Sequence, residues 1–333
     1  MVSRLRRSVL VPSLLVVAAL LAACAGPAPV AAPAAGPGFP VTITHAYGTT
    51  VVPARPQRIV ALGTADVAIA HAVGAPIVGA LRNFAGDPNL PYVQPPLPPE
   101  VLGIPADPEA DLERIAGYRP DLILAVTSPL VLDRQSYDQL AAIAPTVTYG
   151  TSLYAASMQD DARQIGRAIG AEAKVEELIT AADARVAALR TELPGLSGRT
   201  YLFGQARGEV LPMVVGEQNL STVFMRSLGL RVPEAFVNAP ATAALAPGTV
   251  GVSYENAGLL DGADALFITF AGSGDRQQFE GNKLVQQLRA VRGGTYVPLT
   301  TDQAVALQAP NVVAVDWLIG QLRPTLQKVA AGR

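Results

Sequence analysis

The 333-residue sequence holds one cysteine, Cys24, so no intrachain disulfide can close. Zinc sites built on cysteine pairs and a cysteine nucleophile in the folded body are excluded with it. Two histidines, His45 and His71, cannot supply a multi-histidine metal site. His71 falls in an apolar helical stretch and is expected to be packed or capped there, and haem ligation would fall to a tyrosine. Aromatics make up only 5% of the chain and no strongly basic block occurs, which argues against a base-stacking nucleic-acid binder. No G-x-x-x-x-G-K-[ST] phosphate loop occurs, and AGSGD (271–275) does not satisfy G-x-S-x-G. Asp264, Asp121 and Glu109 are scattered rather than paired beside a histidine. No enzyme class finds its residues here, and no cofactor is expected.

What is present is apolar. Half the residues are hydrophobic and 16% are charged, a composition that buries a sizeable core over two domains of ordinary size. Residues 1–23 read as a signal peptide: Arg4, Arg6 and Arg7 precede the apolar stretch Val9 to Leu21, too short to span a bilayer comfortably. It ends in Leu21-Ala22-Ala23-Cys24, which resembles the lipobox of bacterial lipoproteins. That resemblance implies cleavage before Cys24 and a diacylglycerol on its sulfur, and two acyl chains give stable anchoring where one is marginal. Cleavage removes three of the 25 basic residues and none of the 27 acidic ones, leaving a mildly acidic mature chain with no sign of a polyanion partner. Residues 24–39 are almost entirely Ala, Gly, Pro and Val and read as a tether reaching some ~40 Å, at roughly 3 Å per residue.

From residue 40 to 170 the pattern is strand, helix, strand. Val41–Thr44 alternates like an edge strand, and 59–62, 77–80, 122–126 and 146–149 are short apolar strands. Helices are expected after Thr64, near 133–143 and over 157–169, and six prolines crowd the loop 88–99. Residues 171–193 carry Val175, Leu178, Ile179, Ala182, Val186, Leu189 and Leu193 at spacings of three and four, a long helix that can cross between lobes. The theme repeats over 194–333, with strands at 200–203, 265–269 and 295–299 and helices at 220–228, 283–289 and 311–330.

Two glutamates stand out. In DLERIAGYRPDLILA (111–125) and VSYENAGLLDGADALFI (252–268), a polar residue precedes a glutamate in the first turn of a short helix. An aspartate and a buried apolar strand follow in each. The helix dipole favours such a carboxylate by about 0.3–1 kcal/mol, but that local gain does not account for matched positions in both halves. With PQRIVALGTADVAIAHAVGAPIVGA (56–80), YRPDLILA (118–125), IAPTVTYG (143–150) and the long helix, these segments resemble a periplasmic-binding protein of the ferric-siderophore and cobalamin group. The resemblance covers about residues 40–330.

It implies an α/β fold of two Rossmann-like lobes with parallel sheets, joined by a single long α-helix, with the ligand in the cleft between them. It further implies a monomeric receptor that hands its ligand to an ABC permease dimer driven by an ATPase, with Glu113 and Glu255 docking on arginines of the two permease subunits. Lobe movement on loading is expected to be small. Cleft candidates are residues that follow strands. Thr64, Arg82, Ser128, Tyr149, Arg207 and Arg276 are assigned to the ligand, with Gly63, Asn83, Thr127, Gln205, Gly272 and Ser273 beside them. Arg134 and Tyr92 are weaker candidates, and Trp317 is expected to pack. Few cleft arginines and scarce aromatics point to a ligand of low charge. Cobalamin or haem binding, and an adaptor lipoprotein that keeps the fold without transport, are the alternatives to a small-molecule iron chelate.

Overall fold

The computed structural model describes residues 38–105, 111–242, 245–246 and 248–332; the signal peptide, Cys24 and most of the tether lie outside them. In the first lobe, β1 (Val41–His45) and β2 (Gly48–Val52) pair antiparallel. There follow β3 (Ile59–Ala61), α1 (Thr64–Ala72), β4 (Ile77–Ala80), α2 (Leu112–Gly117), β5 (Leu122–Ala125), α3 (Arg134–Ala141) and β6 (Thr146–Thr148). The order β4-β3-β5-β6 is an all-parallel sheet. Its central strands β3 and β5 are uninterrupted apolar runs because both faces are covered. Ile59, Ala61, Leu122 and Leu124 join a core shared with α1, while Val60, Ile123 and Ala125 join one with Ile115 of α2 and Leu140 of α3.

The expected edge strand at Val41 is a strand, but it belongs to a hairpin of its own. His45 pins that hairpin. Its Nδ1 accepts the Tyr47 N–H at 3.3 Å, so the proton sits on Nε2, which donates to Thr50 Oγ1 at 2.9 Å. Thr50 Oγ1 in turn donates to the Thr146 carbonyl at 2.6 Å. Burial first, and then the Arg134 charge, hold the imidazole below its ordinary pKa and keep it neutral.

Next come α4 (Met158–Ile169) and α5 (Glu172–Glu192). Between them Gly170 takes the left-handed conformation at φ 65°, the usual end of a helix, and an added Cβ would meet a Phe39 ring carbon at 2.7 Å. At 1.5 Å per residue the 21 residues of α5 span about 31 Å. Its buried residues, Val175, Ile179, Ala182, Val186 and Leu189, form one stripe.

The second lobe contains β7 (Tyr201–Ala206), β8 (Val210–Val214), α6 (Leu220–Ser227), α7 (Glu234–Val237) and β9 (Thr249–Ser253), then a 3-10 segment, Tyr254–Gly262. After it come β10 (Ala265–Phe270), α8 (Asp275–Gly281), α9 (Lys283–Gln287), α10 (Arg289–Arg292), β11 (Tyr296–Pro298), α11 (Thr301–Gln308) and α12 (Val315–Ala330). The sheet order is β11-β10-β7-β8-β9. β11, β10 and β7 are parallel as expected, but β8 and β9 add antiparallel, so this second sheet is mixed. The cause is a tight turn. Arg207 and Val210 exchange backbone hydrogen bonds of 3.0 and 3.2 Å around Gly208, whose φ of 55° suits a two-residue hairpin. The helix expected over 283–289 breaks at Leu288 into α9 and α10. The stripe of α5 packs against α4 along its first part and α12 along its later part, within one compact unit, so a single apolar core runs through both lobes.

The aspartates that follow the two glutamate-bearing segments are matched staples. Asp121 accepts the Gln57 and Arg58 N–H groups at 2.7 and 2.9 Å, which ties the entry of β5 to that of β3. Asp264 accepts the Thr200 N–H at 2.9 Å, which ties the entry of β10 to that of β7. Two further carboxylates are buried between α1, α4 and the sheet. Asp66 accepts the N–H groups of Val126 and Thr127 at 3.0 Å each, yet burial pushes its carboxyl up to about 6. Asp161 has no hydrogen-bond donor among the described residues. Burial, with the charges of Asp66 and Asp160, pushes it up to about 8.

Two outcomes are expected. Gly170→Ala, forced into the left-handed region, lowers the unfolding free energy in urea by about 1–2 kcal/mol. Because both aspartates are raised above the ordinary value, the folded chain holds protons that the unfolded chain releases. This stabilisation is complete below about pH 4 and is lost as pH rises through about 6 and about 8. The melting temperature should therefore fall between about pH 5 and pH 9, and Asp161→Asn should flatten that slope.

Candidate functional site

A cavity of about 1010 Å³ lies where strand ends of the two lobes meet. Several parallel strands deliver lining residues at or just beyond their C-terminal ends. Thr64 follows β3, Thr127 and Pro129 follow β5, and Thr301 follows β11. Gln205 lies near the end of β7 and Arg207 just beyond it, while Thr269 and Phe270 end β10. Backbone at such ends is free of the ladder, and side chains there converge across the gap between sheets. Phe84, Tyr154, Phe203 and Phe270 supply aromatic faces, and Ala304, Val305 and Gln308 of α11 close one wall.

The floor is organised from beneath by Asp66. Its two oxygens hold Val126 and Thr127, and the Thr127 hydroxyl also accepts the Ala65 N–H at 3.1 Å. The turn after β5 is thus fastened to the start of α1. Among the described residues Thr64 Oγ1 is buried without a partner, and the Tyr92 hydroxyl lies near Thr64 and Asn311 without completing a hydrogen bond. Burial raises the Tyr92 phenol strongly, and burial together with the Asp66 charge pushes Tyr154 up to about 12. Both stay neutral donors at physiological pH. Tyr154 also sits at a left-handed φ of 59°, and its carbonyl accepts the Leu220 N–H of the other lobe at 2.7 Å. A second cross-lobe contact runs from Asn83 Nδ2 to Asp302 Oδ1 at 2.6 Å, and the Tyr92 and Trp317 rings meet at 5.9 Å.

Of the assigned ligand residues, the cavity brings together Thr64 and Arg207, with Thr127 and Gln205 beside them. The other four lie off its lining, each for a local reason. Arg82 is exposed, while its neighbours Asn83 and Phe84 turn toward the other lobe and the cavity. Ser128 is fully buried, and its Oγ accepts the Leu130 N–H at 3.2 Å, a turn contact. Tyr149 packs into the first lobe's second core, with its hydroxyl shared between Tyr47 at 2.6 Å and the Val131 carbonyl at 3.1 Å. Arg276 pairs along α8 with Glu280 at 2.9 Å. Arg134 likewise pairs with Asp138 at 2.8 Å, and Trp317 packs against the core. Gly272 and Ser273 are exposed and off the lining, although the Gly272 N–H donates to Asp275.

Glu113 is exposed in the first turn of α2, whose start Asp111 caps by accepting the Arg114 N–H at 2.9 Å. Glu255 is exposed in the first turn of the 3-10 segment before β10. Among the described residues neither makes an ion pair. No group of three or more His, Cys, Asp or Glu side chains converges among the described residues.

Sequence reasoning missed α11 and the lining residue Thr301. The signal was present, because Thr300 and Gln303 form a capping box directly after a strand. Phe84 and Tyr154 sit in loops whose path no local pattern specifies.

Comparison with known proteins gives a consistent outcome. The sequence is 31% identical over 199 residues to the probable siderophore-binding lipoprotein YfiY of Bacillus subtilis, a match spanning 58% of each chain. It is 30% identical over 110 residues to the ferric-anguibactin-binding protein FatB of Vibrio anguillarum, spanning 33% of this chain and 32% of that one. The matches thus cover less than two thirds of these relatives. The crystal structure of a periplasmic solute binding protein from Mycobacterium smegmatis superposes with a TM-score of 0.69 at 28% identity, over 87% of this chain and 98% of that one. The signature of the family described as periplasmic binding protein matches residues 59–299, from β3 to the end of the last strand's loop, and the chain belongs to that family.

Proposed function

We propose that the chain is the lipid-anchored solute receptor of an ABC importer and that its ligand is a ferric siderophore. The observation that carries this reading is the convergence of strand C-terminal ends from both lobes on a cavity of about 1010 Å³, of a size to enclose one small molecule. The names of the Bacillus and Vibrio relatives, one siderophore-binding and one binding ferric-anguibactin, point the same way. Iron would arrive already chelated, its coordination completed by the chelator rather than by the chain. Binding is non-covalent and the chain performs no chemistry; work is supplied by the importer's ATPase.

Acylation of Cys24 would hold the receptor on the outer face of the cytoplasmic membrane, with the Ala/Pro/Gly tether giving reach. Glu113 and Glu255 would present carboxylates to the two permease subunits. Exposed carboxylate–guanidinium pairs are worth about 0–1 kcal/mol, whereas close pairs desolvated at an interface couple by about 1.5–7 kcal/mol. Two such contacts at a fixed separation also set register, which calls for a stiff connection between the lobes.

Titration with ferric and iron-free chelates, followed by quenching of Trp317 fluorescence, should give one-to-one binding of a ferric chelate with no turnover. Failure of every chelate to bind would sink the reading. The double variant Glu113→Ala with Glu255→Ala should keep its affinity for the chelate while iron uptake by cells stops. Normal uptake would remove the docking role.

A further inference from the structure

The cavity is large, aromatic and nearly without charge. Arg207 is the one charged side chain among the described residues that line it. The Arg207 guanidinium makes no ion pair among the described residues. Its backbone is held firmly. The Gly208 N–H donates to Asp275 Oδ1 at 3.0 Å and the Gly272 N–H to Asp275 Oδ2 at 2.7 Å, so one carboxylate ties the hairpin tip to the neighbouring loop.

Two acidic groups adjoin the lining among the described residues. Asp302 follows the lining residue Thr301, and Asp66 lies beneath Thr64 and Thr127. A buried anion therefore meets one cation and two nearby carboxylates. Each negative charge beyond the first would be desolvated without a partner, which is costly.

Resting on the ferric-siderophore reading, we propose that the ligand is a ferric chelate of net charge zero or minus one. Arg207 would be its sole counter-charge and the residue that sets this specificity. Ferric iron carries three positive charges. Three hydroxamates cancel them, two hydroxamates with one α-hydroxycarboxylate leave one negative charge, and three catecholates leave three. The first two fit an aromatic and threonine-rich cavity with one guanidinium; the tris-catecholate does not. The unpartnered Thr64 hydroxyl, with Gln205 and Gln308, offers neutral hydrogen bonds to the amide and hydroxamate oxygens such chelates expose.

The test titrates the full mature chain with three probes: a neutral ferric trihydroxamate, a singly anionic ferric dihydroxamate–hydroxycarboxylate and a ferric tris-catecholate. The first two should bind at least about a hundredfold more tightly than the third. Arg207→Gln should weaken the singly anionic probe by about tenfold or more and the neutral one by less than about threefold, with Arg207→Lys restoring part of the difference. Added salt should weaken only the anionic probe. Arg82→Ala, a change outside the lining, should alter none of the three.

If the tris-catecholate binds as tightly as the neutral probe, the charge assignment is wrong while the receptor reading stands. An Arg207→Gln effect equal on all probes, or absent, removes the role of Arg207. If no probe binds, the receptor reading itself falls and this inference with it. An unchanged melting temperature of Arg207→Gln separates these outcomes from misfolding.

Discussion

The apolar stripe along α5 is the constraint on which the rest of the molecule depends. Val175, Ile179, Ala182, Val186 and Leu189 recur at intervals of four and three residues, so they stay on one side of the helix over about 31 Å. The first part of this stripe packs on α4 and the later part meets α12. Burying each aliphatic side chain contributes about 1.5–3 kcal/mol. Bending the helix would take several of them out of contact at once. Ion pairs from Arg185 to Asp316 and from Arg323 to Glu192 flank the same seam, although exposed pairs of this kind add little. The two lobes therefore share one core rather than hinge on a flexible loop. The width of the gap between their strand ends is set by packing.

That rigidity has a consequence for binding. A receptor whose cleft is already formed does not spend ligand affinity on ordering its walls. Here the walls are further held by single polar groups, each with a defined task. Asp66 fixes the turn that carries Thr127, Asp275 fixes the turn that carries Arg207, and Asn83 bonds across to Asp302 at the edge of the cavity. Asp302 is thus spent on a side-chain contact across the lobes, and Asp66 and Asp275 on backbone positioning. Asp121 and Asp264 do the same at the other ends of the strands. Among the described lining residues this leaves Arg207 as the one that carries a charge.

The fold was legible in the sequence where the pattern was local and periodic. The stripe of α5, the doubly buried runs of β5 and β10, Gly170 at the end of α4 and the Asp111 cap all follow from side-chain spacing and helix-end chemistry. The mixed character of the second sheet was not legible. The segment Val210–Val214 carries a proline, which a central strand rarely accepts, and the turn that reverses it depends on a single glycine. The site divided in the same way. Thr64 and Arg207 directly follow strands and reach the cavity. Arg82 and Tyr149 also follow strands and do not, because the side a loop residue takes is fixed by its neighbours' tertiary contacts. Asn83 is drawn toward Asp302, and Tyr149 is drawn into a cluster with Tyr47 and Tyr137. Letters that follow a strand say only that a residue is near the cleft; which way it turns is decided by groups far away in sequence.

The same reasoning bears on why so neutral a cavity would suit the proposed receptor, which would have to let its ligand go. A ligand held by several desolvated ion pairs is hard to release, since each charge must regain its water or find a replacement before the complex opens. A ligand held by aromatic faces, neutral hydroxyls and one exposed guanidinium leaves by shedding contacts that water readily replaces. Affinity then comes from area and shape, which a small widening of the gap reduces everywhere at once. In a body whose lobes share one core, small displacements are the kind available. A cleft lined for dispersion and hydrogen bonding, rather than for multiple charges, is the one such a displacement can empty.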